Sequence, residues 1–237
     1  MTATELSAYN LDTSRSEIRG IQIRTWAGLD LGQKQDFTTL AVIESHEITY
    51  ADRNPVTYEF LKSTHHTITH LERLPLGTPY PEIVDTVQWT LEAASGQTFT
   101  TPTLIVDATG VGAPVVDLFR ERGLRRNLVP VTITSGHGET RTGSGAAGVP
   151  KRNLITGLQV AFETHELTLS ANIGPAVETL ISELMNMHCE VTAHGNERFG
   201  ARREGMHDDL VLATALAWWG LNRNRNKPEI WGRRRLI

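Results

Sequence analysis

The 237-residue chain carries 23 Lys/Arg against 27 Asp/Glu, a net charge of −4, with 39% hydrophobic and 21% charged residues; this ordinary balance excludes disordered and collagen-like chains. A single cysteine, Cys189, excludes a disulfide framework and a Cys-rich zinc site. No apolar run approaches the ~20 residues of a membrane helix, and the N-terminal MTATELSAYNLDTSRSE lacks a signal-peptide pattern, so a cytoplasmic setting with no membrane partner is expected.

Residues 1–20 are polar and aperiodic and read as a flexible lead-in. RTWAGLDL (24–31) reads as a strand, GQKQDF as a turn, and TTLAVIE (38–44) as a second strand. A third strand spans 56–72, where Val56, Tyr58, Phe60 and Ile68 alternate with polar residues. Pro79 and Pro81 open a helix in which Ile83, Val84, Val87 and Leu91 share a face and which Gly96 ends. TLIVDATG (103–110) has the near-continuous apolar run of a buried central strand. A helix over 113–122 and a strand over 128–135 follow. The next stretch holds five glycines between Ser135 and Val149 and reads as a mobile loop. Pro150 opens a helix over 151–164, ELTLS (166–170) is a short strand, and 174–187 is a helix with Val177, Leu180, Ile181 and Leu184 on one face. After a polar, basic loop, DDLVLATALAWWGL (208–221) forms a strongly apolar helix with an acidic N-terminus. The order predicts an α/β fold with a mixed five-stranded sheet, an antiparallel meander of three strands continued by parallel ones, and helices on both faces. One domain over 21–222 and a basic tail over 223–237 complete the expected organisation.

Charge is uneven: residues 1–118 hold 7 Lys/Arg against 15 Asp/Glu, whereas residues 119–237 hold 16 against 12. Such asymmetry permits local binding of a polyanion despite the overall sign.

Three acidic positions stand out. Asp30 lies in the first strand between Leu29 and Leu31, Asp107 ends TLIVD, and Asp208 with Asp209 opens the last helix. A carboxylate within apolar surroundings is costly unless it has donors or a cation. Each position also has an ordinary explanation, a turn for Asp30 and helix caps for the others. Together they suit a site in which magnesium or manganese offsets the mutual repulsion. Two such ions about 4 Å apart activate water and stabilise the leaving oxygen of a phosphodiester.

Four segments carry a resemblance. They are GLDLG (28–32) with Asp36 and Thr38, VDATGVGAPVVDLF (106–119), VPKRNLITGLQVAFETHELTL (149–169) and MHDDLVLATALAWW (206–219). Together they resemble the nuclease domain of phage large terminase subunits, in the ribonuclease H-like superfamily that also contains Holliday-junction resolvases. The resemblance implies a ribonuclease H-like fold and metal-dependent cleavage of concatemeric double-stranded DNA during genome packaging, with two Mg2+ or Mn2+ ions. It implies that Asp30 bridges both metals, that Asp107 binds one, and that the third acid is Asp209 or Asp208. Neighbouring helix residues point about 100° apart, and Asp209, next to the apolar run, is the preferred ligand. Expected partners are DNA, a separate ATPase motor, and packaging proteins such as a small terminase or portal. The chain departs from the family in one respect: it contains no GxxxxGK[ST] motif, so no motor is encoded in it. It is either a domain of a longer protein or a stand-alone product, and the initiating Met favours the second.

Lys151 and Arg152, and Arg198, Arg202 and Arg203 before the third acid, are candidate phosphate contacts. His207 is expected to face solvent, with an approach to the metals as its alternative, and Asp36 is a secondary candidate. His65, His66 and His70 sit in a strand and do not form a zinc motif. Cys189 reads as a buried structural residue, and Trp218 and Trp219 as core. The competing functions are a catalytically silent DNA-binding or packaging module, a resolvase-like nuclease, and an actin-like phosphotransferase. The last needs a second phosphate loop that the sequence lacks.

Overall fold

Alternating apolar residues draw the early chain into three long strands, β1 (Ile18–Asp30), β2 (Thr39–Arg53) and β3 (Phe60–Arg73), paired as an antiparallel meander. The computed structural model describes residues 17–32, 36–98, 100–110, 112–136, 138–141, 146–191, 197–201 and 207–223. Helix α1 (Tyr80–Thr98) leads to β4 (Thr103–Asp107), which returns parallel to β1. Helix α2 (Gly112–Glu121) leads to β5 (Leu128–Thr134), parallel to β4. Strands β6 (Thr140–Arg141) and β7 (Ala147–Pro150) follow, then helix α3 (Lys151–Glu163), strand β8 (Leu167–Leu169), helix α4 (Ala176–Asn186), strands β9 (Met187–Val191) and β10 (Glu197–Ala201), and helix α5 (Asp209–Asn222).

The main sheet has eight strands in the order β6-β7-β5-β4-β1-β2-β3-β8. Its centre, β3-β2-β1-β4-β5, is the expected five-stranded mixed sheet. The short strands β7, β6 and β8 extend it at both edges, where pairing satisfies backbone groups that a bare edge would leave open. Part of the glycine-rich stretch is thus sheet: β7 pairs in parallel with β5 and antiparallel with β6. The expected loop before the third acid contains a hairpin, β9 with β10. Its first strand, MHCEV, alternates apolar and polar residues. β1 starts at Ile18, earlier than the sequence suggests, and Ile18 pairs with Tyr50. Residues 1–16 and 224–237, most of the expected lead-in and tail, lie outside the described residues.

The central strands bury both faces. On one face Leu29, Leu40, Val42 and Val106 meet Ile83 and Val87 of α1 and Phe119 of α2. On the other, Ala41, Ile43 and Ile105 meet Leu154 of α3, Leu180 of α4 and most of α5. Every residue of α5 from Asp209 to Leu221 is buried. This helix lies against β1, β2 and β4 while α3 and α4 pack on it, so no face is left for water and its apolar character runs all round. Trp218 and Trp219 are core, as expected. Gly28 makes the close approach possible: a Cβ there would stand 1.9 Å from the Ala213 carbonyl oxygen of α5. No helix among the described residues is long and apolar enough to cross a membrane.

Candidate metal centre

Asp30 and Asp107 are the last residues of β1 and β4. These strands run parallel, with Leu29 paired to Val106, so both carboxylates leave the same end of neighbouring strands. Here the chain order changes direction across the sheet, which is where open α/β sheets form their crevices. Helix α5 starts at this end: Thr39 Oγ1, at the start of β2, donates to the Asp209 carbonyl at 2.8 Å. Asp208 and Asp209 are thereby brought to the two strand ends.

The carboxylates are close enough to perturb one another. Asp30 is buried, and burial is the largest cause pushing its pKa well above the ordinary value. The charges of Asp107, Asp209 and Asp208 add to that shift, and Lys151 opposes it. Burial also raises Asp107, opposed by hydrogen bonds from Thr109 and by Lys151. The Asp107 Oδ1 accepts from Thr109 N at 2.8 Å and Thr109 Oγ1 at 2.5 Å. That turn aims the carboxylate at the site and does not cap α2, which starts only at Gly112. The chain passes through this turn at Gly110, whose φ of +65° suits glycine.

Asp208 and Asp209 differ in their surroundings. Asp208 occupies the N-cap position of α5 but makes no side-chain capping bond. Its Oδ2 instead accepts from Lys151 Nζ at 2.7 Å, joining the first residue of α3 to the start of α5. Asp209 is buried, which raises its pKa; His207 and Arg73 oppose the shift, Asp208 adds to it, and a hydrogen bond from the Phe37 backbone N–H opposes it again. Asp209 Oδ2 is buried and accepts no hydrogen bond among the described residues. A buried acceptor with no hydrogen bond among the described residues, amid acids that raise each other's pKa, fits a hard divalent cation, and oxygen donors of this kind suit magnesium or manganese.

His207, expected to face solvent, is only part-exposed and turns a ring nitrogen toward the acids. Its Nδ1 lies 3.5 Å from Asp209 Oδ2 and 4.0 Å from Asp36 Oδ1, and its ring meets Phe37 edge-on at 5.2 Å. Phe37 supplies the apolar wall that turns the imidazole inward. One ligand atom from each of Asp36, His207 and Asp209 lies within 4.8 Å of the others, so Asp36 joins the margin of the same site. Of the basic candidates, Lys151 reaches the site. Arg152 instead lines an open cleft of about 710 Å³ with Asn153, Gly157, Trp218 and Asn222, away from the carboxylates. Arg202 and Arg203 lie outside the described residues, as do the side chains of Arg198 and Cys189. The strand histidines do not converge on a metal: His70 meets Glu72 at 3.1 Å, His65 meets Ser63 at 3.1 Å, and His66 stands edge-on to Trp218.

Sequence reasoning missed Glu183 and Arg73. Glu183, on α4, is buried and pairs with Arg73 at the end of β3. Its Oε2 accepts from Val211 N of α5 at 3.1 Å. Burial pushes its pKa up to about 7 against the opposing effects of that amide and Arg73. The available signal was an acid one turn from Leu180, on the inward side of an amphipathic helix.

No family model matches the chain, and no curated protein sequence matches it. Among solved structures it is similar to the large terminase nuclease from thermophilic phage G20c, with 22% identity, a TM-score of 0.53, and coverage of 83% of this chain and 81% of that one. The nuclease domain of the large terminase subunit gp2 of bacterial virus Sf6, solved with manganese and beta-thujaplicinol, is 13% identical with a TM-score of 0.52, covering 82% of this chain and 87% of that one. The human cytomegalovirus terminase nuclease domain is 13% identical with a TM-score of 0.50, covering 92% and 94%. The G20c nuclease has also been solved with bound magnesium, at a TM-score of 0.51, and with cobalt, at 0.52. The mixed sheet, the helices on both faces and the acids at the ends of β1, β4 and the start of α5 thus stand in a chain that has the ribonuclease H-like fold of viral terminase nuclease domains.

Proposed function

We propose that this chain is a metal-dependent endonuclease that cuts double-stranded DNA with two divalent ions, in the manner of a packaging nuclease. The observation that carries this reading is Asp30: a buried carboxylate whose ionisation is opposed by burial and by three neighbouring carboxylates. Such a cluster is self-repelling without cations and favourable with them. The fold shared with terminase nucleases, some solved with magnesium, cobalt or manganese, supports the same reading.

In this proposal Asp30, Asp107 and Asp209 hold the metals, with Asp208 beside them and Asp36 and His207 at the margin. Magnesium or manganese, when bound, supplies an activated water and neutralises charge on the departing oxygen. The protein contributes the rest. The strand ends fix Asp30 and Asp107 on a rigid sheet, and the Thr109 turn orients Asp107. Lys151 holds Asp208 and places a positive charge where a scissile phosphate would come. The N-termini of α3 and α5 direct their positive ends to the same place. DNA is the substrate in this proposal, and a packaging motor with other packaging proteins supplies its movement.

The test is plasmid cleavage followed on a gel with magnesium, manganese or EDTA, with Asp107→Ala beside the parent. Metal-dependent nicking and linearisation by the parent, lost in the variant, is the expected result. Cleavage by Asp107→Ala at the parental rate would remove Asp107 from the site. No cleavage by the parent with any metal would favour a silent DNA-binding module of this fold.

A further inference from the structure

We propose that Glu183 is a positioning residue for the metal centre: it caps α5 from outside that helix, so that Asp208 is not drawn into a local cap and stays beside the cations while Asp209 stays placed to hold them. The inference rests on the reading of those acids as metal ligands. Helix N-termini need acceptors for their first amides, and an aspartate at the N-cap is among the best providers. Asp208 occupies that position, yet its carboxylate makes no capping bond and turns to Lys151 at 2.7 Å. Leu210 and Val211 are fully buried, so water cannot satisfy their amides.

Glu183 fills the role. Its Oε2 accepts from Val211 N at 3.1 Å, and the Leu210 N–H also hydrogen-bonds to its carboxylate. These are the amides that a local cap would serve, satisfied here by a residue of α4. Arg73 holds the Glu183 carboxylate, and its guanidinium lies over the Phe37 ring at 4.6 Å. Phe37 in turn touches the His207 ring and gives its N–H to Asp209. Glu183 and Arg73 therefore brace Asp209 from both sides, through the start of α5 and through the segment that precedes β2.

Removing Glu183 leaves two buried amides open, and the nearest replacement acceptor is Asp208. Its capture as a local cap would take it from Lys151 and from the cations. Outer-shell partners of metal ligands are typically worth about 10–100-fold in affinity. A residue important only for packing would lower the melting temperature and leave the metal affinity of the folded protein unchanged.

The experiment uses the full chain, with Mn2+ titrated calorimetrically into the parent, Glu183→Ala and Glu183→Gln, and each melted in EDTA. Glu183→Ala is expected to bind Mn2+ at least about tenfold more weakly. Glu183→Gln, which keeps an acceptor oxygen, is expected to fall between it and the parent. Asp208→Ala is then added to each background: it should lower the melting temperature more beside Glu183→Ala than in the parent, because only there has Asp208 become the cap. Equal Mn2+ affinity in folded Glu183→Ala and parent overturns the proposal. An Asp208→Ala effect that is the same in both backgrounds also overturns it. If the parent binds no Mn2+, the metal reading fails, and with it the positioning role, whereas the melts still report separately whether Glu183 is the cap. If Glu183→Ala does not fold, the same comparisons with Glu183→Gln decide the matter.

Discussion

Gly28→Ala tests whether α5 presses on β1 as closely as described. The new methyl would lie 1.9 Å from the Ala213 carbonyl oxygen and 2.6 Å from Ala217 N. Both are backbone atoms of α5, so no rotamer change relieves the clash. To reach ordinary contact at 3.4 Å the helix must retreat by roughly 1.5 Å. Overpacking of this kind costs about 1–3 kcal/mol, which for a chain of this size lowers the melting temperature by roughly 2–12 °C. The same retreat carries Asp209, at the start of α5, away from Asp30, two residues beyond Gly28. A misplacement of about 1 Å among reacting groups can cost about 100-fold in rate. Thermal melting in EDTA reads the first effect and magnesium-dependent plasmid cleavage the second. Gly20→Ala is the control: nothing lies within 4 Å of its Cβ, so it should leave both unchanged. If Gly28→Ala melts and cuts like the parent, the close packing of α5 on β1 is wrong, and so is the placement of Asp209 that depends on it.

Two further outcomes are expected. Asp30→Asn removes one member of the repelling cluster, so it should melt higher than the parent in EDTA and lose the rise in melting temperature that magnesium or manganese gives the parent; a metal-induced rise equal to the parent's would exclude Asp30 as a ligand. The pH dependence in EDTA follows from the raised pKa values of Asp30, Asp107, Asp209 and Glu183. The folded protein keeps protons that the unfolded chain releases, so this contribution is complete below the ordinary carboxylate range and is lost as pH rises through the folded values. For Glu183 the window runs from 4.5 to about 7. Melting between pH 4 and 8 should show stability declining across that window, with added magnesium restoring more at its upper end; a flat profile in both conditions would contradict the burial of these acids.

Much of the site was legible in the chain because it lies where local pattern changes. TLIVDATG reads as a buried strand closed by an acid and a glycine, and Asp107 does end β4. DDLVLATALAWW announces a buried helix with acids at its start, since only a helix enclosed on every side is apolar all round. Alternation and apolar runs likewise located the five central strands, because a strand's contact with the core is written in its own residues. The edge strands β6, β7 and β8 carried too short a pattern to be counted into the sheet, and the β9–β10 hairpin was masked by its charged residues.

Partners distant in sequence belong to the tertiary structure alone. Whether His207 faced solvent or Asp209 depended on Phe37, some 170 positions away in the chain, and the Lys151–Asp208 pair depended on how α3 meets α5. Glu183 looked like one polar residue on an amphipathic helix until α4 was packed against the start of α5. Local propensity is set by neighbours along the chain, and so the sequence by itself determined the central strands, the helices and the acids at their ends. Burial, charge coupling and hydrogen-bond partners are set by neighbours in space, and so only the folded chain decided which acids repel one another, which is held by a lysine, and which is buried without a hydrogen bond among the described residues.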